Sequence, residues 1–230
     1  MTYEEIIKKL KSLGNPKNVT GMARFGLSSK TTVVLGIKKP VMDKMAKAIG
    51  KDTELALKLW DSKIYEARVL AALIADPNVL TEKQIDKWIS DFDNWGVCDN
   101  ACMNLFHKIP NAHKKAKKLA VSPREFVRRT GFALIASLTV HDKKATDSSF
   151  VKFLPIIKKH STDERNYVKK AVNWALRQIG KRNKNLNKEA IKTAREILSA
   201  SRRIDSKAAK WIAGDAIREL TSAAVQKRLR

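Results

Sequence analysis

Apolar residues recur along this chain every three or four positions, in short segments separated by glycine, proline and asparagine. This spacing places the apolar side chains on one face of an α-helix. No segment shows the strict alternation of apolar and polar residues that is typical of a β-strand. The pattern therefore predicts an all-α protein whose helices follow one another through short connections.

Two of the predicted helices have clear start signals in the sequence. Thr2 and Glu5 have the spacing of a capping box, in which the two side chains bond to each other's backbone amides. Ser122 followed by Pro123 predicts the start of a longer helix that reaches about Thr139. The remaining predicted helices cover about residues 19–25, 40–50, 52–60, 62–75, 81–92, 95–107, 110–119, 148–159, 163–180, 187–200 and 206–221.

Several of these helices resemble one another. Residues 66–75 match residues 127–136 closely, and residues 168–171 and 208–211 fit the same template. Weak self-similarity at a period of roughly 40 residues is typical of stacked helix pairs of the HEAT type. We therefore expect residues 1–230 to form one HEAT-like repeat domain, a right-handed superhelical solenoid of antiparallel helix pairs with a concave basic groove.

The repeat alignment also relates charged residues to one another. It places Arg68, Arg129, Lys170 and Lys210 at equivalent positions, where they are expected to form a basic stripe along one surface. Asp99 falls at the same position in its own helix. An acid inserted in a row of bases is a stronger functional signal than an isolated acid.

The composition narrows the class of ligand. The chain has 230 residues, with 47 Lys and Arg against 23 Asp and Glu, and a formal net charge of +24. Such an excess points to a polyanion as the ligand, and the 7% of aromatic residues together with the repeated apolar spacing excludes a disordered basic tail. The longest apolar run, residues 131–140, is too short to cross a bilayer. Membrane binding is also not expected, because no predicted helix has one face that is consistently apolar and basic.

The two cysteines, Cys98 and Cys102, lie one turn apart on one predicted helix. Such a pair does not connect distant parts of the chain, so we expect a reduced, cytoplasmic protein. His107 and His113 do not complete a metal-binding spacing with them. The cysteines are therefore predicted to be small core residues, and we expect neither a metal nor a cofactor.

The segment that begins at Asn94 carries the candidate chemistry. Asn94 is suited to cap a helix, and Trp95 and Asp99 then lie one turn apart on one face. A carboxylate near a helix N-terminus is favoured in its ionised form. Two interpretations stay open from these residues alone. Either Trp95 is a core anchor and Asp99 offsets the helix dipole, or the pair forms an aromatic plate beside a fixed negative charge.

Four segments, in this order, resemble the AlkD family of DNA alkylation repair glycosylases. They are residues 60–68, the Trp95 to Asp99 helix, the start at Arg128-Arg129-Thr130, and residues 169–177. The resemblance continues to residues 210–213 and so covers nearly the whole chain. It implies a HEAT-like solenoid that holds duplex DNA in a basic groove. It also implies cleavage of the glycosidic bond of positively charged alkylated purines without metal or cofactor.

The resemblance also implies site residues. The family's cleft contains a Trp and an Asp one turn apart, an Arg and a second Trp. These correspond to Trp95, Asp99, one of Arg128 and Arg129, and Trp174, and the repeat register selects Arg129. The residues expected to contact the DNA backbone are basic: Arg68, Arg128, Lys170, Arg177, Lys181 and Lys210.

Two functions from different classes follow. The first is a monomeric glycosylase that removes N3- or N7-alkylated purines from double-stranded DNA, with Asp99 stabilising positive charge on the deoxyribose. The second is a non-catalytic HEAT-repeat scaffold that binds DNA or protein without excision.

Overall fold

The computed structural model describes residues 1–27 and 31–229, and helices dominate this part of the chain. The only β pairing among the described residues is a single bridge between Val33 and Ile64. The chain is divided into two compact units, Met1–Pro110 and Asn111–Arg230. The all-α class predicted from the apolar spacing is therefore confirmed.

The described residues of the first unit form seven α-helices and the 3-10 turn Phe106–Lys108. The helices are α1 (Tyr3–Ser12), α2 (Pro16–Arg24), α3 (Lys39–Ile49), α4 (Thr53–Asp61), α5 (Tyr65–Ile74), α6 (Glu82–Ser90) and α7 (Trp95–Asn104). Residues 111–229, the described part of the second unit, form eight. They are α8 (Ala112–Ala120), α9 (Glu125–His141), α10 (Asp147–Val151), α11 (Leu154–Lys159), α12 (Asn166–Gly180), α13 (Lys184–Ile204), α14 (Lys207–Leu220) and α15 (Ala223–Gln226).

The start of α1 follows the predicted capping box. The Glu5 amide donates to the Thr2 hydroxyl at 3.2 Å, and the Thr2 amide donates to the Glu5 carboxylate at 2.8 Å. These bonds satisfy two amides that the helix itself leaves without partners.

The predicted start of α9 was wrong by a few residues. The helix begins at Glu125 with Arg124 as its N-cap residue, and it continues to His141. The Ser122 hydroxyl accepts a hydrogen bond from the Arg124 amide at 3.2 Å. This serine therefore stabilises the turn that precedes the helix instead of the first turn of the helix.

Residues 148–159 do not form the single helix that the sequence predicted. It contains two short helices, α10 and α11, and Pro155 lies in the first turn of the second. Proline lacks an amide hydrogen, so Pro155 cannot donate to the carbonyl group four residues earlier, that of Val151, and its ring would clash with that group in a continuous helix. The chain therefore breaks after Val151 and starts a new helix.

The core of the first unit is built around stacked indoles. The rings of Trp60 and Trp88 lie 4.1 Å apart between centroids with an interplanar angle of 3°, and both residues are buried. Phe92 meets Trp60 edge-on at 5.8 Å. The Trp60 indole nitrogen donates to the Asp91 carboxylate at 3.0 Å, which satisfies its polar atom inside the core.

A buried glutamate fixes the segment between α2 and α3. The Glu66 carboxylate accepts three hydrogen bonds from backbone amides, those of Leu35 at 2.9 Å, Gly36 at 2.7 Å and Ile37 at 3.1 Å. Glu66 has no exposed surface, and these donors replace the water that the charge would otherwise need. The segment is thereby held against α5.

In the second unit, α9 is the central helix and packs against both α8 and α12. Gly131 allows the close approach of α8, because a Cβ atom at this position would lie 2.5 Å from the Ala120 Cα atom. Nearly all of the α9 residues from Thr130 to Leu138 are fully buried. Within the described ranges of the chain, no helix is both long enough and apolar enough to cross a membrane.

Candidate nucleic-acid interface

The segment from Asn94 to Asp99 opens α7 in the first unit. The Asn94 side chain accepts a hydrogen bond from the Val97 amide at 3.0 Å, so the predicted cap is present. Trp95 is the first helical residue and Asp99 lies one turn later, and both are half-buried. The structure therefore places Trp95 and Asp99 one turn apart behind the cap, as the sequence predicted.

The Trp95 ring borders a cavity of about 470 Å³ within the first unit. Its indole nitrogen donates a hydrogen bond to the Phe25 carbonyl at 2.9 Å, which ties α7 to the end of α2. Much of the wall is apolar and includes Met22, Met42 and Val69. Trp95 is thus held in place at the edge of a cavity and is not a fully buried core anchor.

Tyr65 packs against the first turn of α7, where glycine makes room for its ring. A Cβ atom on Gly96 would lie 2.8 Å from the Tyr65 hydroxyl oxygen. Burial, with the negative charges of Glu66 and Asp99, raises the pKa of Tyr65 to about 12. Tyr65 is therefore a neutral phenol within the electrostatic reach of Asp99, a neighbour that no signal in the sequence indicated.

Arg68 does not lie on an exposed stripe. It is 5% exposed, and its guanidinium donates to the Trp60 carbonyl at 3.2 Å, the Thr32 hydroxyl at 3.1 Å and the Asp91 carbonyl at 3.3 Å. It also lies 5.2 Å from the centroid of the Trp60 ring. These contacts hold the end of α4 and neighbouring loops together. The sequence predicted Arg68 on an exposed basic stripe, and its buried position corrects that prediction.

The adjacent residues Arg128 and Arg129 have different surroundings at the start of α9. Arg129 is 5% exposed and donates to the Tyr167 carbonyl at 2.6 Å. Arg128 donates to the Ser122 carbonyl at 2.7 Å and pairs with Asp163 at 2.7 Å, with 16% of its side chain exposed. The exposure of the two side chains favours Arg128 for contact with a ligand, although the repeat register selects Arg129.

The buried position of Arg129 repeats that of Arg68. Each lies in an equivalent helix and donates to a main-chain carbonyl of a neighbouring segment. Lys170 and Lys210, which the same alignment added to the row, are exposed. Two of the four residues are therefore buried, and their guanidinium groups bond to the main chain of neighbouring segments.

Asp163 anchors the charged cluster at the start of α12. Arg165 donates to its carboxylate through Nη2 at 2.6 Å and to the Pro123 carbonyl through Nη1 at 2.7 Å. Burial opposes the charge on Asp163, but the hydrogen bonds from Arg165 and Arg128 outweigh it and lower its pKa to about 2.

One face of α12 carries Lys170, Trp174 and Arg177, with Lys181 as its C-cap residue. Lys170 is exposed, whereas the other three side chains are half-buried. This arrangement places an indole among basic residues on one side of the helix, as the sequence predicted. Their role in DNA binding stays a prediction.

Two acids on α14 balance part of this positive charge. Arg177 forms an ion pair with Asp215 at 3.3 Å and a shorter one with Glu219, and Lys181 contacts Glu219 at 2.8 Å. Burial opposes ionisation of Glu219, but the bond from Lys181 and the charge of Arg177 outweigh it and lower the Glu219 pKa. The periodicity of α12 alone contained no signal of these partners.

Trp211 is a further aromatic residue that the sequence did not single out as a site. It lies on α14 next to Lys210 and is 42% exposed. The Lys169 ammonium lies 5.5 Å from the centroid of its ring, in the geometry of a cation–π contact. An exposed indole beside lysines is suited to contact a nucleic acid.

Cys98 and Cys102 are not in a disulfide and have no exposed surface, as expected of core residues. His107 Nδ1 lies 3.1 Å from the Cys102 carbonyl oxygen, and His113 pairs with Asp142 at 2.9 Å. Within residues 1–27 and 31–229, no group of three or more His, Cys, Asp or Glu side chains is arranged to hold a metal.

Comparison with known proteins identifies the family. A family model described as "DNA alkylation repair enzyme" matches residues 6–220. The chain belongs to this family. An uncharacterized protein of Listeria innocua, Lin0241, is 22% identical over 200 residues, covering 86% of this chain and 87% of that one.

A solved structure gives the fold. It is described as a new family of proteins related to the HEAT-like repeat DNA glycosylases with affinity for branched DNA structures. It aligns with a TM-score of 0.76 at 23% identity, over 85% of this chain and 83% of that one. The predicted HEAT-like repeat fold is therefore confirmed. The predictions of a single domain, a monomer and a cytoplasmic location stay predictions.

Proposed function

We propose that this protein is a DNA glycosylase that hydrolyses the N-glycosidic bond of positively charged N3- or N7-alkylated purines in duplex DNA. The observation that carries the proposal is the Trp95–Asp99 pair, one turn apart at the capped start of α7. Membership of the DNA alkylation repair enzyme family supports it.

The chemistry of the substrate explains why one carboxylate suffices. An alkylated purine that carries positive charge leaves as a neutral base, so no general acid is required. Positive charge develops on the deoxyribose instead, as in other glycoside cleavages. In the proposed mechanism the Asp99 carboxylate stabilises this charge and orients the attacking water, and the Trp95 face attracts the cationic base or sugar.

For binding, we assign phosphate contacts to the exposed lysines Lys170 and Lys210. Arg128 and Trp174 are the further candidates in the second unit, and Arg177 and Lys181 are available once Glu219 releases them. We give Arg68 and Arg129 positioning roles, because their guanidinium groups are bonded to main-chain carbonyls. With a net charge of +24, affinity should fall steeply as salt rises.

The deciding experiment compares single-turnover excision and binding on duplex DNA that contains N7-methylguanine. Asp99→Asn should keep the affinity and lose most of the excision rate. Loss of one preorganised electrostatic partner costs about 3–4 kcal/mol, or on the order of a hundred- to a thousandfold in rate. Spontaneous depurination must be subtracted from both rates.

The matched control is Asp86→Asn, which removes the same charge from an exposed position on α6. It should excise at the wild-type rate. Equal rates for Asp99→Asn and wild type would remove Asp99 from the mechanism.

A second candidate is a DNA-binding protein without excision activity. It is favoured by the similarity to the structure whose family is described as having affinity for branched DNA structures. It predicts no abasic sites above background from the wild type, together with tighter binding to a four-way junction than to a linear duplex.

A further inference from the structure

The cavity beside Trp95 has the size and lining of a ligand site. Its volume of about 470 Å³ lies within the range of roughly 300–1,000 Å³ that is usual for small-molecule sites. Three aromatic residues, Phe25, Tyr65 and Trp95, line it along with aliphatic and methionine side chains. Of the described residues, Trp95 contributes to this lining and Asp99 does not. The cavity thus borders the aromatic member of the Trp95–Asp99 pair.

The walls of this cavity are held in place by hydrogen bonds. The Trp95 indole is fixed by the Phe25 carbonyl at 2.9 Å. The Asn18 amide donates to the Gly36 carbonyl at 2.9 Å, and Gly36 in turn donates to the buried Glu66 carboxylate. A cavity whose walls are already positioned binds its ligand without the cost of ordering them.

The charge at the edge of the cavity indicates an anionic ligand. Lys17 and Lys38 line it and are exposed, so their ammonium groups can reach a ligand that projects into solvent. Lys39 also lines it but is paired with Asp43. A flat aromatic group inside, joined to a negative group at the edge, is the chemistry of a nucleotide.

We propose that this cavity binds the base of an unpaired nucleotide in DNA, while Lys17 and Lys38 contact its phosphates. The inference rests on the proposed function in one respect, that the ligand is DNA. Base stacking on aromatic side chains tolerates any base, so the site should recognise the unpaired state and not the sequence.

Gly21 offers a test that fills the cavity without disturbing the fold. It lies on α2 and lines the cavity, and a Cβ atom there would meet nothing within 4 Å. Gly21→Met should therefore place a side chain in the empty space, and the helix should gain from the loss of glycine. Ala23→Met is the matched control, because Ala23 is exposed, lies on the same helix and points about 200° away.

The measurement is the affinity for two short fluorescent duplexes that differ by a single unpaired adenosine. Wild type and Ala23→Met should prefer the bulged duplex by about tenfold, the scale of one base–aromatic stack. Gly21→Met should lose that preference, with an unfolding temperature no lower than that of the wild type. Equal affinity of the wild type for both duplexes, or a preference that survives in Gly21→Met, would overturn the proposal.

Excision of N7-methylguanine measured in parallel separates this proposal from the enzymatic one. A bulge preference that depends on Gly21, found without excision, refutes the glycosylase and supports the cavity. Excision combined with a bulge preference that Gly21→Met does not change refutes the cavity alone.

Discussion

Arg177 on α12 and Glu219 on α14 form a hydrogen-bonded ion pair, and Lys181 shares the same carboxylate at 2.8 Å. The Glu219 side chain is 24% exposed. Two cations that the sequence assigned to DNA are therefore balanced by an acid of their own unit. A phosphate that binds Arg177 or Lys181 must compete with this carboxylate.

Replacing Glu219 by glutamine should therefore strengthen DNA binding. We expect Glu219→Gln to raise the affinity for a linear duplex about threefold, which corresponds to roughly 0.6 kcal/mol, within the range for a partly exposed ion pair. Fluorescence anisotropy at low salt measures this. The control is Glu196→Gln, which removes the same charge from a pair with Lys158 at 2.8 Å. Equal gains from both variants would show that only net charge matters.

Gly131 should be intolerant of even the smallest side chain. A Cβ atom at this position would lie 2.5 Å from the Ala120 Cα atom, and backbone cannot move away as a flexible side chain can. We expect Gly131→Ala to lower the free energy of unfolding by about 3 kcal/mol, because α8 and α9 must separate. Chemical denaturation measures the change.

Gly214 on α14 provides the opposite control. A Cβ atom there would meet nothing within 4 Å, so Gly214→Ala should stabilise the protein by up to about 1 kcal/mol through helix propensity alone. Comparable losses in both variants would mean that the spacing of α8 and α9 does not depend on glycine.

The helices were predictable because their signals are local. The capping box at Thr2 and the cap at Asn94 depend on residues three positions apart, and both are present. The start of α9 was misplaced because Ser122 suits a turn as well as a cap. The single helix predicted over 148–159 was wrong because Pro155 cannot bond to the carbonyl group of Val151, four residues earlier, which is also a local effect.

The site was less predictable because burial depends on distant segments. Nothing near Arg68 in the sequence indicates that its guanidinium meets the carbonyls of Trp60 and Asp91. The acids that balance Arg177 lie about 40 residues away on α14. Periodicity correctly gave the side of α12 on which these residues lie. It could not give the charge of the facing helix.

Asp163 should make stability depend on pH in the acid range. Its folded pKa of about 2 is below the ordinary value of 3.8, because hydrogen bonds from Arg165 and Arg128 outweigh burial. A depressed pKa contributes stability above the ordinary value, and this contribution is lost as the pH falls towards 2. Asp163→Asn should therefore lower the unfolding free energy by on the order of 2 kcal/mol at pH 7.

The difference between Asp163→Asn and wild type should shrink towards zero near pH 2, where Asp163 is half protonated and then neutral. Urea denaturation across this range follows it. Asp43→Asn is the control, since Asp43 and Lys39 form a pair with about half of each side chain exposed and should contribute no more than about 1 kcal/mol. A pH-independent difference for Asp163→Asn would point to packing and not to charge.

Substitutions of the two tryptophans of the second unit should affect DNA affinity and folding stability to different extents. Trp211 is 42% exposed and contacts Lys169 at 5.5 Å from its ring centroid, so its removal costs little buried surface. Trp211→Ala should weaken duplex binding by roughly fivefold, or about 1 kcal/mol, while the unfolding temperature changes little. Val79→Ala, at a residue that is 61% exposed in the first unit, controls for truncation of an exposed apolar side chain.

Trp174 is half-buried on α12, so Trp174→Ala should behave differently from Trp211→Ala. It should lower excision and binding together if the proposed ligand contact holds, and it should also cost stability, on the order of 2 kcal/mol, because its ring fills space. Anisotropy, single-turnover excision and thermal unfolding on the same preparations separate the two cases. If Trp174→Ala changed neither stability nor excision, Trp174 would have neither a packing role nor a role in contact with the ligand. Binding that is unchanged in Trp211→Ala would mean that the exposed indole and Lys169 lie outside the DNA contact.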